Sequence, residues 1–176
     1  MKFLETSRLL VRHFVLEDAE ALFRVHSNPN VAQWMGDGKP LTYERCVQWI
    51  ETSLQNYKIQ GFGASAVGMK STDAFIGCCG LIYDPEGIEP EIPEIIYSFE
   101  PCWWGQGLAS EIVPAMLDYG LKHCGLQRIL ATIAPENLAS RRVVEKAGMV
   151  FDRVEIESDG LPSLVYYIEA ARSRER

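Results

Sequence analysis

The sequence predicts an α+β (mixed α/β) fold: a mixed, mostly antiparallel central sheet of about seven strands, flanked by about four helices. Three observations carry this. Residues 93–149 read as strand, glycine turn, amphipathic helix, strand, helix. Residues 62–69 and 74–83 are two strand-like runs joined by the turn Lys70-Ser71-Thr72-Asp73, an antiparallel hairpin. Residues 151–157 and 163–168 form a second hairpin around Asp159-Gly160.

At 176 residues the chain has room for one domain with a proper core, read here as residues 1–176. No apolar run approaches membrane-spanning length, and Glu5, Arg8, Arg12 and His13 interrupt any leader-like stretch. Five cysteines without a C-x-x-C pair suggest a reducing compartment, and a cytoplasmic location is expected. Cys78 and Cys79 are neighbours in a strand and should point to opposite faces. A formal charge of −7 argues against nucleic acid as a partner and suits a cationic amine.

In chain order, residues 8–14 alternate as a first strand, and residues 16–23 follow as a helix with acidic residues in its first turn. Leu22, Phe23 and His26 mark its apolar stripe, and Pro29 is expected to end it. Thr42 is an N-cap candidate for a helix reaching about Tyr57. Residues 84–93 are a polar loop carrying Glu86, Glu89 and Glu91, either a solvated segment or an acidic rim that attracts an amine. Residues 94–99 are the next strand. Leu108, Ile112 and Met116, with Val113, Leu117 and Leu121, give the following helix one stripe, interrupted at Pro114. Gly125 stops that helix before the strand 128–133; Asn137 caps the next helix and Gly148 closes it. The charged residues 171–176 are expected to fray.

The chemistry centres on Trp104-Gly105-Gln106-Gly107-Leu108-Ala109-Ser110. Two glycines before a helix let backbone N–H groups converge on an anion, with the positive end of the helix dipole behind them. The Walker pattern fails, because Leu108 and Ala109 stand where Lys and Ser or Thr are needed. The dinucleotide fingerprint fits only in part, since Ser110 holds its third small position. A bare strand-to-helix turn without ligand is the alternative.

The surroundings identify the motif. Trp104-Gly105-Gln106-Gly107-Leu108-Ala109 resembles motif A of the GNAT acetyltransferases, with Trp where the general pattern has Gln or Arg, as in the ribosomal-protein N-acetyltransferase-like branch. Asn137-Leu138-Ala139-Ser140 and Glu145-Lys146-Ala147-Gly148-Met149 resemble that branch's later signatures, and residues 5–12 its opening strand. The resemblance implies a GNAT fold and an N-acetyltransferase that uses acetyl-CoA as donor and a primary amine as acceptor. That amine is a protein N-terminal α-amine or a small molecule, and the protein is a monomer or homodimer.

The resemblance also implies roles. Gly105, Gln106, Gly107, Leu108, Ala109 and Ser110 grip the pyrophosphate. The strand through Tyr97, Ser98 and Phe99 splays from its neighbour and binds the pantetheine arm like an added strand, with backbone N–H near Tyr97 and Ser98 serving the thioester oxygen. Asn137 is a helix cap or an arm contact, and Ser140 lies near the sulfur as the acid for the leaving thiolate. Glu94 is the first choice of base, with Tyr97 and Tyr166 as alternatives; its other reading is a strand-edge carboxylate. Trp34, Met35 and Trp49 are either core or walls of an acceptor pocket. His13, His26 and His123 are scattered in sequence and suggest neither a metal site nor a Ser–His pair. Direct transfer without a covalent enzyme intermediate is expected. The competing readings are a non-catalytic acyl-CoA-binding module of the same fold and, from a different class, a nucleotide-dependent oxidoreductase.

Overall fold

The computed structural model describes residues 1–171; of the tail expected to fray, 172–176 lie outside the described residues. Eight strands form one sheet: β1 (Lys2–Glu5), β2 (Leu9–Arg12), β3 (Ala64–Met69), β4 (Phe75–Ile82), β5 (Glu94–Phe99), β6 (Arg128–Ile133), β7 (Val150–Ile156) and β8 (Pro162–Glu169). Their spatial order is β1-β2-β3-β4-β5-β6-β8-β7. Every neighbouring pair is antiparallel except β5 and β6. Five helices flank it: α1 (Ala19–His26), α2 (Pro29–Ala32), α3 (Tyr43–Gln60), α4 (Leu108–Lys122) and α5 (Leu138–Lys146).

Two differences from the sequence expectation have simple causes. The extra strand β1 is too short to show an alternation of its own and exists by pairing with β2. Pro29 does end α1, but it then serves as the first residue of α2, where its missing N–H costs nothing; the Asn28 side chain accepts from Asn30 N–H and caps it.

Both faces of the sheet are covered. On one, α4 lays Leu108, Ile112, Val113, Met116 and Leu117 over Leu9, Val11, Val67 and Cys79. On the other, α1 and α3 pack Leu22, Cys46 and Ile50 against Ala64, Ala66 and Cys78. The adjacent Cys78 and Cys79 therefore do enter opposite cores, as strand alternation requires. Closeness of approach is set by glycine: a Cβ at Gly120 would sit 2.5 Å from Leu81 Cδ1 and 2.8 Å from Ile129 Cδ1, so α4 touches the sheet there.

Helix ends follow their caps. Thr42 Oγ1 accepts from Arg45 N–H to start α3, and Gly61 at φ 82° ends it. Before α1, the Asp18 carboxylate takes both Nη atoms of Arg12 at 2.7 Å and also accepts from Val15 N–H. This bidentate clamp fixes α1 against β2 and so fixes where its last residue, His26, enters the core.

Candidate active site

Parallel pairing of β5 and β6 extends over one register position, Glu94 with Leu130. Leu130 N–H donates to the Pro93 carbonyl at 2.9 Å, and beyond it the strands part. Backbone groups alternate sides along a strand. The open edge of β5 therefore carries the N–H and carbonyl of Tyr97 and the N–H of Phe99, while the Ser98 carbonyl faces β4 beside Gly77. Tyr97, more than Ser98, presents the free backbone donor. The gap opens into a cleft of about 950 Å³ that passes through the sheet.

At one end lies the glycine turn. Gly105 and Gly107 have φ of 72° and 74°, the left-handed region that side chains resist. Gly107 is the residue before α4. Backbone N–H groups of residues 105–110 donate to no atom of the described residues. They comprise the orphan donors of a helix start plus those of the turn. Glu111 in the first helical turn would oppose an anion there, but its carboxylate is occupied by Thr6 Oγ1 at 2.6 Å, Arg8 N–H at 2.7 Å and Arg8 Nε at 2.6 Å. Arg8 Nη1 also donates to the Gln106 carbonyl at 3.0 Å, which holds the turn in shape. Arg8 brings its positive charge to the turn from about a hundred residues away; only its place in the opening strand motif drew notice in the sequence.

Of the residues singled out beforehand, Tyr97, Ser98, Phe99, Gly105, Gly107, Leu108, Ala109, Ser110, Asn137 and Ser140 all line this cleft. Gln106 does not; its side chain turns back to the Cys102 carbonyl. The Tyr97 hydroxyl lies 2.5 Å from Ser140 Oγ. Burial pushes the Tyr97 phenol up to about 12, which removes it as a base near neutrality. Tyr166 is buried and donates to Glu145 Oε1 at 2.9 Å. Asn137 Oδ1 accepts from Ser140 N–H at 3.1 Å and is thus the cap of α5.

Glu94 sits where β5 and β6 still touch, outside the lining of the cleft. It shares a strand face with Ile96 and Ser98. Its pKa is pushed up to about 7. Burial is the main cause, the charges of Asp84, Glu157 and Glu89 add to it, and the neighbouring Thr132 hydroxyl, buried and otherwise without a partner, opposes it. Glu89 in the acidic loop is paired with Arg153 at 2.8 Å.

The expectation of no Ser–His pair is corrected. His26 Nε2 lies 2.6 Å from Ser98 Oγ, both buried, and Cys78 Sγ is 3.2 Å from the same oxygen. Burial lowers the His26 pKa to about 4, so the ring is neutral. Sequence spacing hides this pair, because its members are 72 residues apart on α1 and β5. The aromatic candidates divide. Trp34 and Met35 line the cleft, whereas Trp49 stacks on His26 with ring centroids 4.8 Å apart and belongs to the core.

A splayed strand edge with unpaired backbone groups, opposite a helix start with free N–H groups, can seat an extended chain along the strand and an anion at the turn. Comparisons with known proteins agree. Residues 8–150 match the family model of the acetyltransferase (GNAT) domain. An uncharacterized N-acetyltransferase of Bacillus subtilis, YnaD, is 34% identical over 146 residues, covering 82% of this chain and 80% of the relative. The crystal structure of a GNAT-family acetyltransferase from Bacillus anthracis superposes with a TM-score of 0.78 at 28% identity, over 96% of this chain and 98% of that one. RimL, a ribosomal L7/L12 alpha-N-protein acetyltransferase solved with coenzyme A, shares the fold at a TM-score of 0.79 and 14% identity, over 97% of this chain and 98% of that one. The chain belongs to the GNAT acetyltransferase family, an enzyme family whose acetyl donor is acetyl-CoA. This replaces the oxidoreductase reading. Among the described residues no helix is long and apolar enough to cross a membrane.

Proposed function

We propose that this protein transfers the acetyl group of acetyl-CoA directly to a primary amine, either the N-terminal α-amine of a protein or a small amine. The observation that supports this best is the alignment of two sets of unpaired backbone donors along one cleft: residues 105–110 at its phosphate end and the open edge of β5 in its middle.

Residues 105–110 hold the pyrophosphate, with Arg8 keeping Glu111 turned away from it. The backbone of Tyr97 and Phe99 pairs with the pantetheine amides, and the Tyr97 N–H donates to the carbonyl oxygen as negative charge develops there. The amine nitrogen forms a bond to the acetyl carbon as the carbon–sulfur bond breaks, and the electron pair leaves on sulfur. Ser140, in contact with Tyr97 Oη, relays a proton from water to that thiolate and so ends as the neutral hydroxyl. The amine's proton passes through water to Glu94, whose raised pKa suits a base working near neutrality. Asn137 holds the start of α5 so that Ser140 faces Tyr97.

Isothermal titration with acetyl-CoA, and NAD(H) as control, tests the seat; free-thiol release over a panel of amines and peptide N-termini tests the reaction. Micromolar binding of acetyl-CoA alone and thiol release with at least one amine is the expected result. Binding without release from any amine would favour the non-catalytic module, and no binding would leave the turn a structural feature.

A further inference from the structure

The buried side chains of His26, Ser98 and Cys78 take no part in the transfer steps proposed above. His26 is 2% exposed, and its Nδ1 is buried with no hydrogen-bond partner among the described residues. A buried bare lone pair costs less than a buried unpaired N–H, so the ring proton resides on Nε2. Nε2–H then donates to Ser98 Oγ at 2.6 Å. With that lone pair taken by histidine, the serine's own O–H must point elsewhere. The nearby candidate is Cys78 Sγ at 3.2 Å, a weak acceptor whose S–H can equally donate back. Either way, an oxygen brought into the cleft would be a better partner for the Ser98 proton than anything the protein supplies.

Ser98 also has the right place. Its side chain shares a strand face with Ile96, on the α1–α3 side of the sheet, and that lobe of the cleft is walled by Val31, Trp34, Met35 and Ile96. None of these carries a charge. The phosphate turn lies on α4, across the sheet. The side chains named here are apolar and aromatic and surround one oriented hydroxyl donor, next to the strand that holds the reacting group, with Glu94 the carboxylate on the same strand face.

From this arrangement we propose that Ser98, oriented by His26, is a specificity-determining hydrogen-bond donor to the acyl acceptor, which is a primary amine with an oxygen acceptor one carbon from the amine-bearing carbon, as in an α-amino amide. The inference rests on the acetyl-transfer reading and deepens its acceptor side. Ser98 contacts the acceptor; His26 is a positioning residue, acting through Ser98.

The test compares two acceptors by thiol release, phenylalaninamide and phenethylamine, with rates expressed per free-base amine. The expected result is a kcat/KM for phenylalaninamide at least tenfold above that for phenethylamine. In Ser98→Ala and His26→Leu that tenfold preference collapses to twofold or less, through KM more than kcat. In His26→Gln, whose amide N–H replaces Nε2–H, at least half of it returns. Acetyl-CoA affinity by titration stays within twofold in all three variants. A wild-type protein without the preference, a preference that survives Ser98→Ala, or a parallel loss of acetyl-CoA affinity would each overturn the inference. So would equal loss in His26→Gln and His26→Leu, which would reduce His26 to packing. One arm needs no turnover: nitrogen NMR shifts should show His26 neutral down to about pH 5 with its proton on Nε2, and a proton on Nδ1 refutes the proposal by itself. If that tautomer is found while none of a broad amine panel releases thiol, the transfer reading falls, and the acceptor role of Ser98 falls with it.

Discussion

Replacing Glu94 by glutamine separates its two effects, on stability and on rate. The gap between an ordinary glutamate at 4.5 and a folded value of about 7 corresponds to about 3 kcal/mol at 1.36 kcal/mol per decade. The sign follows from proton binding. The folded state holds this proton more tightly than the unfolded chain, so the acid form is favoured by folding. Glu94 is harmless below pH 4.5, and stability is lost as pH rises from there through 7, after which the loss is complete. Glutamine has nearly the same shape and no charge, so Glu94→Gln should exceed the wild type by about 1 kcal/mol or less at pH 5 and by about 3 kcal/mol at pH 8. Urea denaturation at the two pH values, analysed as the difference between variant and wild type, cancels all other titrating groups. The same variant should lose the rise of kcat/KM with pH that is centred near 7 in the wild type, without weakening acetyl-CoA binding. A stability difference that is equal at pH 5 and pH 8 would refute the buried-carboxylate argument; an unchanged pH–rate profile would refute the base assignment alone.

The other predictions address the turn, the acid and the packing of α4. Gly107→Ala adds only left-handed strain, about 1–2 kcal/mol, since its Cβ would meet nothing nearer than Arg8 Nη2 at 3.8 Å. Gly107→Glu adds the same strain plus a negative charge, so its acetyl-CoA Kd should rise at least tenfold beyond that of the alanine variant; equal affinities by titration would argue against a phosphate seat. Ser140→Ala should lower kcat about tenfold or more with acetyl-CoA affinity held within threefold, and Tyr97→Phe should follow it more weakly; steady-state kinetics that show no fall in either would remove the acid role. Gly120→Ala drives a methyl into Leu81 and Ile129 and should cost about 1–3 kcal/mol in a denaturant titration, with little effect on acetyl-CoA binding at low temperature.

Much of this molecule was written locally. Strand β5, the glycine turn, α4 with its stripe, β6 and the cap of α5 are encoded by residues near one another in the chain, so alternation, helical spacing and φ-permissive glycines reveal them directly. For the same reason ten of the twelve residues chosen from the sequence line one cleft. What the chain order could not disclose depends on which strands lie side by side. The parting of β5 from β6 is a property of their pairing, visible in neither strand alone. It was the sheet order that set Arg8 against Glu111 across 103 positions and His26 against Ser98 across 72. Glu94 reads as one more strand-end carboxylate until burial and three neighbouring acids raise its pKa. The sequence by itself disclosed the fold class, the glycine turn before α4 and, through its ordered motifs, the family, because those are carried by residues near one another in the chain. Only the tertiary structure decided which donors remain free, which carboxylate is strained and which histidine meets which serine, because hydrogen-bond satisfaction and desolvation are properties of the packed chain.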